Sequence, residues 1–161
     1  MLDVIAKEYS KAKVFRVSPG WALIDFLRRF VEDLSERCES MIRLKMERDE
    51  EFRLKLENME KRMGYRPDAR SLTRMMVYVL MNKIIFYKVL EGKYKLPRMT
   101  FLDTSSKDNF LRQLNAYFER AIEETRDFEP IFRTGIFDEI DLPDEVEALE
   151  YINELISPIE A

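Results

Sequence analysis

The sequence predicts an all-α fold: a multi-helix bundle around a central buried helix, with one long charged helix or helical hairpin arm. Three observations lead there. In Ser71–Glu91, the apolar residues Leu72, Met75, Met76, Val79, Ile84, Phe86, Tyr87 and Leu90 nearly encircle a helix, and a helix that is apolar almost all round is expected to be covered all round. Only four glycines and six prolines occur in 161 residues, too little turn material for many short strands. No proline or glycine interrupts Trp21–Met63, where apolar residues recur at steps of three and four.

In chain order, Met1–Lys13 is expected to form a short helix through Leu2, Ile5, Ala6 and Tyr9, and Val14–Val17 a brief strand or extended link. Lys7, Lys11, Lys13 and Arg16 make this entry basic, as a solvated surface segment or a phosphate-contacting arm. Ser18 and Pro19 form a helix start, a capping hydroxyl before a proline suited to the first helical position. Ile24, Leu27, Val31, Leu34, Cys38 and Met41 then make the inward stripe, widened by Trp21, Phe26 and Phe30. Cys38 on that stripe reads as a small core residue. The stripe lapses at Lys45 and Arg48 and resumes at Phe52, Leu56, Met59 and Met63. The region is therefore one helix of about 65 Å or a helix bent near Arg48.

Gly64–Asp68 is the hinge, with Gly64 ending one helix and Asp68 or Ser71 starting the central one. Within the central helix, Asn82 is expected to bond a neighbouring backbone group or else to pair with an acidic residue and fix helix register. Lys83 is expected either to extend its ammonium to water or to pair with an acid and fix helix register. Met75–Leu90 is shorter than a membrane span, and Asn82, Lys83 and Lys88 interrupt it, so no membrane partner is expected. Gly92–Pro97 turns the chain, and Thr104, Ser105 or Ser106 caps a helix with Phe110, Leu111, Leu114, Tyr117, Phe118, Ala121 and Ile122 inward. Phe128, Ile131, Phe132, Ile136 and Phe137 are too many large apolar groups for a free loop and should plug gaps between helices. Asp138, Glu139 and Asp141 read as a solvated acidic turn. The last helix starts at Pro143 or Asp144, turns Val146, Leu149, Ile152, Leu155 and Ile156 inward, and closes at Pro158.

Length and a 46% hydrophobic content fit residues 1–161 forming a single helical domain with a real core. The formal net charge of −4 argues against a domain that grips DNA unaided. No histidine is present, which excludes a His-based triad and a His-ligated metal site. The single cysteine excludes an internal disulfide and fits a cytoplasmic location. A small enzyme would have to rely on Asp, Glu, Lys or Tyr alone; no catalytic, cofactor-binding or metal-binding residue is assigned.

The string MNKIIFYKVLEGKYKLPRM (Met81–Met99) resembles a segment of the N6-adenine DNA methyltransferases of restriction–modification systems. Asn82, Lys83, Ile84, Ile85, Phe86, Tyr87, Lys88 and Leu90 match a helix reading roughly L-x-N-K-[IL]-[IL]-F-Y-[KR]-x-L that precedes the family's catalytic domain. The likeness continues through Leu102–Ser106, Phe118–Phe132 and Phe137–Glu145 to the closing helix, and covers about half the chain well and the first half only loosely. The family's Gly-rich cofactor turn and Asn-Pro-Pro-[Tyr/Phe] motif do not occur here. The resemblance therefore implies a non-catalytic helical portion that helps position DNA or a partner subunit. It would be a fragment preceding a methylase catalytic domain outside these residues, and S-adenosylmethionine would bind there.

Beside that reading stands a free-standing helical interaction or oligomerisation module, suggested by the charged stretch Arg43–Arg62. The candidate phosphate contacts are Arg66, Arg70, Arg74, Lys93 and Lys95, which cluster at the two ends of the central helix; Arg98 and Tyr94 lie beside the last two.

Overall fold

The computed structural model describes residues 19–160; the expected helix in Met1–Lys13, the link Val14–Val17 and the Ser18 cap lie outside them. Among the described residues every regular element is helical. Helix α1 (Pro19–Arg48) begins on the proline, whose missing N–H costs nothing at a first position. It buries Phe30, Val31, Leu34, Cys38 and Ile42, whereas Trp21 and Ile24, expected inward, stand exposed. The inward face thus starts at Phe26–Phe30, where α1 first meets the aromatic ring of Tyr151 at 6.0 and 5.8 Å.

The charged stretch divides at Asp49. Its backbone is extended (φ −92°, ψ 105°) and its carboxylate accepts from the Phe52 N–H at 3.0 Å, capping α2 (Glu50–Met63). The cap replaces the helical bonds lost at the bend. Phe52, Leu56 and Met59 are buried and Met63 is exposed, so the thin stripe is covered for two turns and then released. Gly64 ends α2 in the left-handed conformation (φ 81°), with its N–H on Glu60 O.

Helix α3 (Ala69–Lys93) is the centre of the molecule. Asp68 caps it through the Ser71 N–H at 2.8 Å; that hydrogen bond, aided by the charges of Arg70 and Arg43, holds the Asp68 carboxyl below its ordinary range. Helices α1, α4 (Lys107–Thr125) and α6 (Val146–Glu160) pack against it, as does the 3₁₀ turn Gly135–Glu139. Leu72, Met76, Val77, Leu80, Met81, Ile84, Tyr87 and Leu90 are buried. Coverage is not complete: Ser71, Tyr78, Asn82 and Val89 lie on one open stripe. Asn82 therefore meets solvent, and neither the backbone neighbour nor the acidic residue expected of it.

Lys83 does not reach for water. Its side chain is 6% exposed and its ammonium pairs with Asp138 on the 3₁₀ turn, over the Phe118 ring. Lys88 is likewise buried and pairs with Glu91 at 2.7 Å. The acidic turn is a set of staples and not simply a solvated loop: Asp138 meets Lys83, Glu139 meets Lys55 at 3.0 Å, and Asp141 meets Lys107 at 2.9 Å. Three separate helices are tied to one short connector.

Ser106 caps α4 through the Asn109 N–H at 3.2 Å, and α4 buries Phe110, Leu114, Phe118 and Ala121. The connector then folds as α5 (Glu129–Phe132) and the 3₁₀ turn. Phe132 and Ile136 are buried; Phe128 stacks edge-on against Phe86 at 5.2 Å, and Phe132 lies on Phe118 at 5.4 Å. These rings fill the gap between α3 and α4, whereas Ile131 is left at the surface. Helix α6 turns Leu149, Ile152, Leu155 and Ile156 inward, but Val146 is exposed because the helix begins only there. It also runs through Pro158 to Glu160, since a proline near a helix end removes only one backbone bond.

Candidate functional site

Two surface features are built with more care than a solvated helix face needs. The first is a strap formed by residues 94–106, which crosses from α3 to α4. Its inner side is fastened by buried polar groups of the central helix. The Tyr87 hydroxyl donates to Pro97 O at 2.5 Å; burial, then the Glu91 carboxylate, push its pKa well up, so it remains a neutral donor. Lys88 Nζ donates to Met99 O at 2.9 Å, and Glu91 Oε1 accepts from the Met99 N–H at 2.5 Å. Asn153 of α6 brackets Leu102, accepting from its N–H at 2.9 Å and donating to its carbonyl at 3.0 Å. Met99 and Leu102 are buried as a result.

The backbone is fixed at 97, 99 and 102, Leu96 packs against the core and the Tyr94 ring meets the Phe128 ring edge-on at 6.3 Å, while several other side chains project outward. Lys93, Tyr94, Lys95 and Arg98 are exposed, and Phe101 is 68% exposed. Neither Lys93 nor Lys95 has an ion-pair partner among the described residues. Two rings and three cations thus share one short, fastened segment, a combination able to meet phosphates and the faces of unstacked bases.

The second feature is a groove of about 410 Å³ between α1 and α3, lined by Glu32, Ser35, Glu36 and Glu39 on one wall and Arg70 and Arg74 on the other. The glutamates fall at i, i+4 and i+7, so one face of α1 carries all three. Glu39 is paired with Arg43 at 3.5 Å. Glu32, Glu36, Arg70 and Arg74 have no ion-pair partner among the described residues. Ser35 is 6% exposed and its Oγ has no hydrogen-bond partner. A buried hydroxyl left unpaired costs about 1–3 kcal/mol.

The five basic residues singled out from sequence do not form one footprint. Arg70 and Arg74 come together, but opposite carboxylates. Arg66 lies past the end of α2 near Glu57 and Glu60. Lys93 and Lys95 stand together at the other end of α3, about 35 Å from Arg70 at 1.5 Å per residue. The sequence reading missed Phe101, because a phenylalanine reads as core until its neighbours are known to turn inward. It missed the groove too, although the spacing of Glu32, Glu36 and Glu39 was available; Arg70 and Arg74 become their neighbours only through tertiary packing.

Among the described residues, no helix is long and apolar enough to cross a membrane, and no group of three His, Cys, Asp or Glu side chains is placed to hold a metal ion. Comparison with protein-family models, curated proteins and solved structures finds no match to this chain.

Proposed function

We propose that this chain is the non-catalytic helical domain of a restriction–modification adenine-N6 DNA methyltransferase, and that its strap faces DNA. The observation that carries the proposal is the outward set Lys93, Tyr94, Lys95, Arg98 and Phe101 on a segment fastened from within. Lysine and arginine side chains there contact phosphates, while the rings of Tyr94 and Phe101 stack on exposed bases. The net charge of −4 disfavours DNA over the rest of the surface and so helps orient it at the strap.

The distribution of the family-like segments adds support. Lys83, from the matching helix, meets Asp138, and Leu102 meets Asn153 of the closing helix. Segments far apart in sequence make one packed body. On this reading S-adenosylmethionine and the methyl-transfer residues belong to a separate catalytic domain, the enzyme works in the cytoplasm, and this domain scaffolds. Arg70, Arg74 and Arg66 contribute little to phosphate binding, because nearby glutamates repel the backbone.

Fluorescence anisotropy with labelled duplex and single-stranded oligonucleotides tests the strap. Neutralising Lys93 and Lys95 to Gln should reduce the slope of log affinity against log salt by about 2. Phe101→Ala should weaken single-strand binding by about 1–3 kcal/mol. Binding and slope unchanged in both variants would overturn the proposal.

The second reading, a free-standing interaction or oligomerisation module, is favoured by the open stripe of α3, where Tyr78 and Val89 are exposed. Sedimentation distinguishes the two: concentration-dependent association that Tyr78→Lys abolishes supports the module, and a monomer at high concentration counts against it.

A further inference from the structure

We propose that the open stripe of α3 is a self-association face, on which a second copy of this chain lies antiparallel about a two-fold axis at Asn82. The inference rests on the second reading above and supplies its occupant and register; it does not depend on the strap facing DNA.

The first observation is a symmetry along the stripe. Counting outward from Asn82, Val79 and Ile85 lie three residues away, Tyr78 and Phe86 four, and Met75 and Val89 seven. Each pair matches in kind: two β-branched chains, two aromatic rings, two apolar chains of moderate size. Offsets of three, four and seven keep to one face of a helix. All six side chains are partly or fully exposed, whereas Leu72, Met76, Leu80 and Ile84 of the same helix are buried. A two-fold axis at Asn82 sets each residue against its counterpart: Val79 on Ile85 of the second copy, Tyr78 on Phe86, Met75 on Val89. A closed symmetric pair needs a surface that complements itself in this way; a groove for an unrelated helix does not.

The second observation is Asn82 itself. It is the one amide on an otherwise apolar stretch of the stripe and makes no hydrogen bond among the described residues. On the axis it meets the same amide, and each can donate to the other's carbonyl oxygen. A single asparagine in an apolar helical seam is the device that fixes register and the number of strands.

The third is charge, which selects the antiparallel arrangement. In a parallel pair Lys93 and Lys95 would stand beside their own copies. The antiparallel pair sends them to the other end of α3, where Lys93 faces Ser71 and Lys95 comes beside Asp68. At that end Arg70 and Arg74 are balanced by Glu32 and Glu36 across the groove, so the arriving cations meet no excess of their own sign. The face is small. Ser71–Lys93 spans about 33 Å at 1.5 Å per residue, and a strip about 10 Å wide gives about 330 Å² per copy. A standard stable interface uses about 800 Å² per partner, so the pair is weak and forms at high concentration.

Sedimentation and concentration-dependent amide shifts of the full chain, from micromolar to millimolar protein, test the inference. The mass should rise from 19.4 kDa toward twice that value, with shifts centred on residues 71–93. Asn82→Asp and Asn82→Lys, at an exposed position, should each weaken association at least about tenfold, since like charges meet on the axis. An equimolar mixture of the two variants should recover it. Under oxidation Asn82→Cys should crosslink to itself, and Val89→Cys should not, because the two copies of residue 89 stand about 21 Å apart along the helices; the native Cys38 is buried and takes no part. A monomer at millimolar concentration overturns the inference together with the second reading. Association that both charged variants leave intact, or a mixture no better than its components, overturns the inference alone. Crosslinking through Val89→Cys as fast as through Asn82→Cys overturns it too, as the mark of a parallel pair. Shifts of the unmodified chain that centre away from α3 do the same without any variant.

Discussion

The Lys83–Asp138 pair should respond asymmetrically to the loss of either partner. The Lys83 side chain is 6% exposed and that of Asp138 is 33% exposed. Asp138→Ala strands an ammonium inside the bundle, with only the Phe118 ring at 5.6 Å to receive it. Removing one partner of a buried pair costs about 3–5 kcal/mol. Lys83→Met, by contrast, fills the same channel with an apolar chain of similar length. Asp138 then keeps the Thr134 N–H at 2.8 Å, the Thr134 hydroxyl at 2.6 Å and access to water. The loss should be about 1–2 kcal/mol, the range of a hydrogen bond to a charged group.

The double variant should be more stable than Asp138→Ala alone, because the stranded charge is gone. Urea unfolding monitored by circular dichroism, with a common slope, measures all three. Burial raises the Asp138 carboxyl, but hydrogen bonds from Lys83 and Thr134 outweigh it and hold it below its ordinary 3.8. Its contribution is therefore present above that value and is lost as pH falls through the lower folded-state value. Asp138→Ala should accordingly flatten the acid limb of the stability profile. Equal losses in the two single variants, or additive losses in the double, would refute the assignment of Lys83 as the dependent partner.

Further outcomes follow from the same geometry. Asn153→Ala leaves the N–H and carbonyl of buried Leu102 unpaired, which should cost at least about 1–3 kcal/mol and raise hydrogen exchange at Leu102 in the strap; loss of stability without faster exchange there would contradict the bracketing role. The Cys38 thiol is pushed up to about 12, first by burial and then by the charge of Asp141, so a thiol reagent at neutral pH should label it only on global unfolding; rapid labelling of the native protein would place it outside the core. Gly64→Ala forces a side chain into φ 81° and should cost about 1 kcal/mol, visible as a lowered urea midpoint; no change would show that the α2 terminus rearranges freely.

The bundle was legible in the sequence wherever one residue type decides a backbone event. Pro19 starts a helix and Gly64 ends one; Asp68 and Ser106, each one of the caps the spacing left open, cap the next two, and of the two readings of Trp21–Met63 the bend near Arg48 is the one found, completed by Asp49. The core was legible where apolar spacing is dense, as in Phe110–Ala121. It was less legible where a helix outruns its neighbours: Ile24 and Val146 carry core chemistry but lie where no other element covers them. The lysines could not be placed from spacing alone, because whether Lys83 reaches water or Asp138 depends on a connector 55 residues later. The same limit hid the groove, since its two walls come from separate helices, and it hid Phe101, whose exposure follows from the burial of Met99 and Leu102.

Steady-state methylation of duplex DNA by the protein encoded in the full reading frame tests the functional account most directly. The comparison is between the unmodified protein and one carrying Lys93→Gln, Lys95→Gln and Phe101→Ala. A positioning domain with its chemistry elsewhere predicts a raised KM for DNA, with kcat and the affinity for S-adenosylmethionine unchanged. A lowered kcat at unchanged KM, or the absence of any adenine-methylating activity from that reading frame, would contradict it.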